Sequence, residues 1–329
     1  MKKKAKKLSN AKLWSIISAS IVVFISLSLI IINIFIPVKY LASYCVVGKR
    51  AQDGTMRVTF VDVGFGDSII VELPDGKNML IDGGNGRYTN NAKVLKELNR
   101  RDIDTIDYLI CSSVNGEHCG GLSDVVKYKK VKTVYMPYCT NKYVTEEFHS
   151  FYDLAKECGA EIVYSEYGSG ISADSYFFTV ISPSRIDLES GEYSALNKNP
   201  SKTARNNSSA VIWLEYADTA FLFISDVEES VLSSILSSYQ LTTDNYPVKL
   251  EKCKVVQVAG HGSNLSVCAS FYDLLSPEVA VISVGKNGSG CPSLSAISNV
   301  KNSVGNNLYR TDEYGNIIFE VTASGYTIK

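Results

Sequence analysis

Aspartate and glutamate are missing from the first 50 residues, and the run LWSIISASIVVFISLSLIIINIFIP at 13–37 holds no charge of either sign. Together these absences disfavour a buried core helix of a globular domain, because nothing polar interrupts the run to give it a solvated face. A bilayer core needs about 20 apolar residues as a helix, and the run supplies them. Its serines are tolerable because a hydroxyl can bond back to a helix carbonyl. Six lysines precede the run (Lys2, Lys3, Lys4, Lys6, Lys7 and Lys12), while Lys39, Lys49 and Arg50 are the basic residues that follow it closely. The positive-inside rule then leaves the N-terminus in the cytoplasm and carries the rest outside. A cleaved signal peptide is the competing reading. It would have an apolar core of about 7–15 residues and a small-residue cleavage site; this core is longer, and LASYC at 41–45 is a poor site. The expectation is a single-pass cell-membrane protein: a basic cytoplasmic tail at 1–12, an anchor at 13–37, a linker at 38–55 and an extracytoplasmic domain at 56–329.

Other absences narrow the domain itself. The eight cysteines (Cys45, Cys111, Cys119, Cys139, Cys158, Cys253, Cys268 and Cys291) include no CxxC or zinc-ribbon spacing. An even count outside the cell invites disulfides, yet several cysteines sit in apolar runs such as YLIC, where a free thiol serves as a small core hydrophobe. Mostly unpaired, buried cysteines are expected. Hydrophobic residues at 45% suffice for a large core, and the aromatic content of 10% with 20% charge excludes disorder. Nine Lys/Arg lie in residues 1–50, so the remainder carries 24 basic and 34 acidic side chains, a net of −10. That sign disfavours duplex nucleic acid as a partner. Besides the membrane, the partner expected is a protein or small-molecule ligand whose identity the sequence does not give.

β-branched runs punctuated by turns fill the rest. MRVTFVDV (56–63), SIIVELP (68–74) and NMLID (78–82) read as strands, the last two joined by the turn Pro74-Asp75-Gly76-Lys77. DYLIC (107–111) has the apolar continuity of a strand buried on both faces, and KTVYMP (132–137) is another. Helical spacing appears at 91–101, with Val94, Leu95 and Leu98 on one face, and at 144–157, ended by Cys158-Gly159. Residues 165–206 are polar and predict a long connection with one strand, YFFTVIS (176–182). AVIWLEY (210–216) and AFLFIS (220–225) predict a hairpin. Strand and helix then alternate to the end, and the pattern as a whole predicts an α/β layered domain.

Three strand ends carry polar tips. They are CSSVNGEHCGGL (111–122), Ser225-Asp226 after AFLFI, and Gly260-His261-Gly262-Ser263 after VVQV. Open α/β sheets place their sites at such ends, so one shared cleft is a candidate; ordinary turns and helix caps are the plainer explanation. The same segments carry a resemblance. VTFVDVGFGDSIIVELPDGKNMLIDGG (58–84), NNSSAVIWLEY, FLFISDVEE, VAGHGS and YRTDEYGNIIF together resemble the metallo-β-lactamase-fold domain at the C-terminus of the ComEC DNA-uptake protein family. The likeness runs in order over 56–320, and implies a four-layer αββα sandwich.

That family's chemistry implies two metal ions, held by an H-x-H-x-D-H loop, an aspartate after a later strand, an H-H-G-S turn and a histidine in G-H-P-S. Here the loop has Ser113 and Asn115 at the two leading histidine positions, then Glu117 and His118. Asp226 is kept. The later turn has Gly260 and His261, and the last position is Cys291. His149, the third histidine of the chain, falls in an amphipathic helix and reads as a surface residue. Neutral oxygen donors bind transition metals weakly, so the resemblance implies a degenerate centre and, first, a non-catalytic binding or scaffolding domain with no cofactor. The alternative is a mononuclear hydrolase, phosphodiesterase- or nuclease-like. One zinc or manganese ion would then sit on Glu117, His118, Asp226 and His261, Asp226 and His261 would position its water, and Cys119 or Cys291 could assist. Asp62, Asp67 and Asp82 are expected to organise loops. A third reading gives Cys119 a reactive thiolate at a helix N-terminus.

Overall fold

The computed structural model describes residues 10–35, 50–86, 88–138, 144–184, 200–242 and 247–329. The residues expected as tail and linker at 1–9 and 38–49 lie outside the described residues, as do Cys45 and Cys139. The chain divides into two units, Met1–Val46 and Val47–Lys329. In the first, helix Asn10–Phe35 runs 26 residues. Its described side chains are continuous only from Ile17 to Ser28, and among the described residues no helix is long and apolar enough to cross a membrane.

The second unit is built on two sheets. Its strands, in chain order, are β1 Met56–Phe60, β2 Ile69–Glu72, β3 Asn78–Ile81, β4 Thr105–Ile110, β5 Lys130–Pro137, β6 Glu161–Ser165, β7 Gly170–Ser172, β8 Tyr176–Ser182, β9 Val211–Tyr216, β10 Thr219–Phe223, β11 Cys253–Gln257, β12 Val279–Ile282, β13 Leu308–Arg310, β14 Ile317–Thr322 and β15 Gly325–Ile328. The first sheet orders β15-β14-β1-β2-β3-β4-β5-β6 and the second β13-β12-β11-β10-β9-β8-β7. Each is mixed. β3 to β6 are parallel in one and β10 to β13 in the other, the rest being antiparallel. These parallel strands are the nearly continuous apolar runs of the sequence, as burial on both faces requires.

The sheets face each other across one core. Phe60 and Phe319 of the first sheet meet Phe221 and Phe223 of the second, with Phe60–Phe223 centroids 6.0 Å apart and Phe221–Phe319 edge-on at 5.5 Å. Behind the second sheet a separate core packs Trp213, Leu222 and Val256 against Leu232, Ile235, Phe271, Tyr272 and Val300. Those last residues belong to helices Glu229–Thr242, Ala269–Leu275 and Leu294–Val304. On the first sheet Leu80, Leu109 and Val134 stand in register and are fully buried. Helices Tyr88–Arg100, Leu122–Tyr128 and Glu146–Glu157 bury Val94, Leu98, Val125, Phe148 and Phe151. The layers therefore run helix, sheet, sheet, helix.

Two differences from the sequence reading concern weakly apolar segments. The connection 165–206 holds β7 as well as β8, and the helix Lys202–Asn207. β6 and β15 also lack a fully buried face. The cysteines fit the expectation: Cys111, Cys119, Cys158, Cys253, Cys268 and Cys291 are free thiols, four of them buried.

Because Phe319 touches Phe60, Phe221 and Tyr326, Phe319→Ala should cost about 3–5 kcal/mol in urea denaturation followed by circular dichroism. A loss below about 1 kcal/mol would mean that the sheets do not share this core.

Candidate metal centre

The polar tips converge because both parallel strand sets end on the same side. His118 follows β4, Asp226 follows β10, His261 follows β11, and Asp67 and Asp82 follow β1 and β3. Backbone contacts lock the loops together. Asp67 N donates to Glu117 O at 3.1 Å, Gly83 N to His118 O at 2.8 Å, and Gly260 N to Ser225 O at 2.8 Å. A Cβ at Gly66 would lie 2.4 Å from Glu117 O, so only glycine permits that approach. Asp82 (φ 61°), Ser225 (φ 56°) and His261 (φ 56°) hold left-handed backbone. Such conformations cost on the order of 1–3 kcal/mol each and persist where the surroundings over-determine them.

Asp226 sits at the centre and is 4% exposed. His118, fully buried, has Nε2 3.0 Å from Asp226 Oδ2, and Nδ1 2.8 Å from Asp82 Oδ2 and 3.5 Å from Asp67 Oδ2. His261 has Nε2 3.5 Å from Asp226 Oδ1 and Nδ1 2.9 Å from Ser283 O. Only a protonated Nδ1 can donate to that carbonyl, so neutral His261 presents a lone pair at Nε2. The two rings lie 5.4 Å apart, and Phe65 covers His261 with centroids at 4.6 Å. Both Nε2 atoms are buried without an aligned hydrogen-bond partner, despite their proximity to Asp226. A buried nitrogen left so is costly. With each Nδ1 anchored on a carboxylate or a carbonyl, this is the support that metal-ligating imidazoles receive.

Burial opposes charge throughout the cluster, and the partners decide the outcome. For Asp226 burial pushes the pKa up, but His118 first and His261 next pull it well below the carboxylate range. For His118 burial favours the neutral ring, yet Asp226 and Asp82 overcome it and raise its pKa strongly. Asp67 is raised, its burial outweighing the two imidazoles. A cation taking His118 Nε2 must therefore displace a proton.

Two overlapping groups are placed to hold a cation: ligand atoms of Glu117, Asp226 and His261 lie within 4.8 Å of one another, as do those of Asp67, His118 and His261. The positions where the resemblance implies further imidazoles carry other chemistry. Asn115 Nδ2 donates to Asp226 Oδ2 at 2.8 Å and to Asn206 Oδ1 at 2.8 Å, and Arg205 Nε donates to Asn115 Oδ1 at 3.0 Å. An amide hydrogen thus faces the carboxylate where the resemblance implies an imidazole lone pair, and the guanidinium holds that amide from behind. Ser113 is buried, its Oγ accepting from Asn115 N at 3.3 Å. Gly260 contributes only backbone. Cys291 is half-buried and absent from both clusters among the described residues; burial first, then Asp226, raises its thiol pKa.

Two expectations change. Asp67 and Asp82 do more than shape loops, because both touch the imidazoles. Asp82 also accepts from Ser112 Oγ, which lies 2.7 Å from Ser225 Oγ, and Asp67 accepts from Gln257 Nε2 at 2.7 Å. Asp62 does act on a loop, accepting from Gly64 N at 3.0 Å and pairing with Lys93. Cys119 is fully buried at the end of the short helix Gly116–Cys119, and its Sγ donates to Asn115 O at 3.3 Å. A thiol used as a donor inside the core is no exposed thiolate, so that reading fails. His149 lies half-buried in its helix beside Asp153, remote in the chain from the loops of the centre. Arg205, Asn206, Gln257 and Ser283 were not legible as site residues; only the NNSS string of the resemblance hinted at Asn206. Beside the centre a cavity of about 500 Å³ is lined by Phe65, Glu117, Glu147, Lys286 and Asn287 among others.

No protein-family model matches the chain. It is 26% identical over 246 residues to ComE operon protein 3 of Bacillus subtilis, covering 70% of this chain and 28% of that protein. To Recombination protein 2 of Haemophilus influenzae it is 25% identical over 242 residues, covering 72% and 25%. The match thus spans about a quarter of the length of those relatives. Among solved structures it is similar to CmlA, a diiron beta-hydroxylase from Streptomyces venezuelae, with TM-score 0.49 and 12% identity over 81% of this chain and 54% of that one. It is also similar to a metal-dependent hydrolase of the beta-lactamase superfamily, with TM-score 0.47 and 12% identity over 81% and 99%.

His118→Ala would leave Asp82 and Asp226 buried without their shared imidazole. In chelator-treated protein the loss should be about 3–5 kcal/mol by chemical denaturation. A change under about 1 kcal/mol, the size of an exposed pair, would show that the cluster is not paired as described.

Proposed function

We propose that this ComEC-like metallo-β-lactamase-fold domain works as a ligand-binding module built around one divalent cation, and not as a two-metal hydrolase. The observation that carries the reading is the set of groups that meet Asp226. The buried Nε2 atoms of His118 and His261 lie 3.0 and 3.5 Å from its two carboxylate oxygens. Asn115, at a position where the resemblance implies a histidine, gives it a hydrogen-bond donor instead. A deprotonated imidazole nitrogen can ligate a cation, whereas an amide N–H repels one. His118, Asp226 and His261 would hold the ion, with Glu117 as the ligand nearest the cavity. Bound there, a zinc or manganese ion supplies Lewis acidity and a more acidic water. Asp82 and the Ser283 carbonyl keep the two imidazoles turned toward it.

The membrane setting belongs to the same proposal. In helix Asn10–Phe35 the side chains of Trp14, Ile17, Ile21, Val22, Val23, Phe24, Ile25 and Leu27 are all exposed. Consecutive exposed apolar positions leave no wet face, which suits lipid. The lysines before the helix favour an extracytoplasmic domain. The acidic balance of the domain argues against a duplex nucleic-acid ligand. Alkaline carbonate washing should leave the chain in the membrane pellet; release into the supernatant would remove the anchor.

A mononuclear hydrolase is the second reading. The strained backbone at Asp82, Ser225 and His261 favours it, since such strain clusters at working sites. Metal analysis of the purified chain by mass spectrometry separates one ion from two, and a cleavage assay separates the two readings. One equivalent of zinc or manganese is expected, lost in His118→Ala and His261→Ala, while two equivalents would overturn the proposal. Restoring both imidazoles, in a Ser113→His and Asn115→His double variant, should raise the content toward two. Metal-dependent cleavage of a phosphodiester such as bis-p-nitrophenyl phosphate, abolished in His118→Ala, would establish the hydrolase. Its absence from metal-loaded protein would leave the binding role alone.

A further inference from the structure

Helix Lys202–Asn207 carries two cations, Lys202 and Arg205, and Arg205 meets Asn115, the residue that donates to Asp226. Its N-terminus is fixed by Ser201, whose Oγ accepts from Ala204 N at 3.0 Å. Its other end turns both asparagines inward. Asn206 Oδ1 accepts from Asn115, its Nδ2 donates to Glu228 at 2.9 Å, and Asn207 Oδ1 accepts from Glu228 N at 2.9 Å. Arg205 is therefore held on a clamped turn, two hydrogen bonds from Asp226.

What that guanidinium lacks is an acid. Among the described residues Arg57, Arg100, Arg101 and Arg310 pair with carboxylates, while Arg50, like Arg205, bonds neutral oxygens. Arg205 is half-buried, yet its hydrogen bonds go to two neutral oxygens, Asn115 Oδ1 and the Pro200 carbonyl, each at 3.0 Å. Neither they nor any ion pair among the described residues cancels its charge, and no hydrogen bond there uses Nη2. Two acids of the same loops have other partners: Asp226 has His118, His261 and Asn115, and the Glu228 carboxylate accepts from Asn206. Lys202, one turn earlier and so on the same face, is exposed and in no ion pair among the described residues. Lys202 and Asp226 both act on the Cys291 thiol, so the lysine charge reaches the same neighbourhood.

We propose that Arg205, assisted by Lys202, receives an oxyanion, the phosphate or carboxylate group of a small ligand that lies beside Asn115 and the helix Lys202–Asn207. A guanidinium fixed through Nε and Nη1 keeps a full charge and an unused N–H edge, the arrangement suited to such a group. The receptor does not need the cation proposed above, so the two stand or fall separately.

The test uses the full chain in detergent after chelator treatment, titrated with inorganic phosphate and, in a parallel arm, with acetate, by calorimetry. Saturable binding of either anion is expected. Arg205→Ala should weaken it about tenfold, the loss that goes with one charged hydrogen bond, and Arg205→Lys should weaken it less. The better-bound anion identifies the group. No saturable binding of either anion, or equal affinity in Arg205→Ala, would overturn the proposal. Circular dichroism checks that variant; if it is misfolded, Lys202→Ala decides, because Lys202 is exposed. There a drop of about threefold supports the receptor and unchanged affinity contradicts it. Repeating the titration with zinc restored tests the cation alone, since its failure leaves the chelated result untouched.

Discussion

A carboxylate buried as deeply as Asp226 has to be answered by positive charge or by hydrogen donors, and the structure around it is arranged to provide both. Two imidazoles and an asparagine amide approach it, His118 and Asn115 at Oδ2 and His261 at Oδ1. Each of those groups is in turn fixed by a second partner: His118 by Asp82, His261 by the Ser283 carbonyl, Asn115 by Asn206 and Arg205. The loops bearing them come from both sheets, so the sandwich is what brings these charges to one point. In chain order they are far apart.

The groups that meet Asp226 differ in chemistry. Where the resemblance would place imidazole lone pairs, Ser113 is tucked into the loop and Asn115 offers hydrogens. At the positions where it keeps His118 and His261, their Nε2 atoms lie close to the Asp226 carboxylate. The strained backbone is at Asp82, Ser225 and His261, and Arg205 adds a fixed positive charge behind Asn115. We assign a cation to the imidazoles and an oxyanion to Arg205.

Much of this was legible in the sequence. Strands buried on both faces, such as DYLIC and VAVI, announce themselves by unbroken apolar runs. The helix at 144–157 was marked by its periodicity and by Cys158-Gly159. The segments that escaped, β6, β7, β15 and Lys202–Asn207, are short or only half-buried, so neither period nor apolarity marks them. His118, Asp226 and His261 could be named because they sit at strand ends and match the resemblance at those positions. Their supports could not. That Asp82 and Asp67 reach the imidazoles depends on how β1 to β3 register beside β4. That Arg205 meets Asn115 depends on a contact between residues 90 apart in the chain. Cys119 misled because a cysteine beside glycines in a loop-like string gives no sign of its burial.

Diffraction at the zinc edge from crystals of the zinc-loaded chain tests the central claim most directly. One anomalous peak, bounded by His118, Asp226 and His261, is the result this account predicts, with none beside Ser113 and Asn115. Two peaks a few ångströms apart on either side of Asp226, or no peak near it at all, would contradict it.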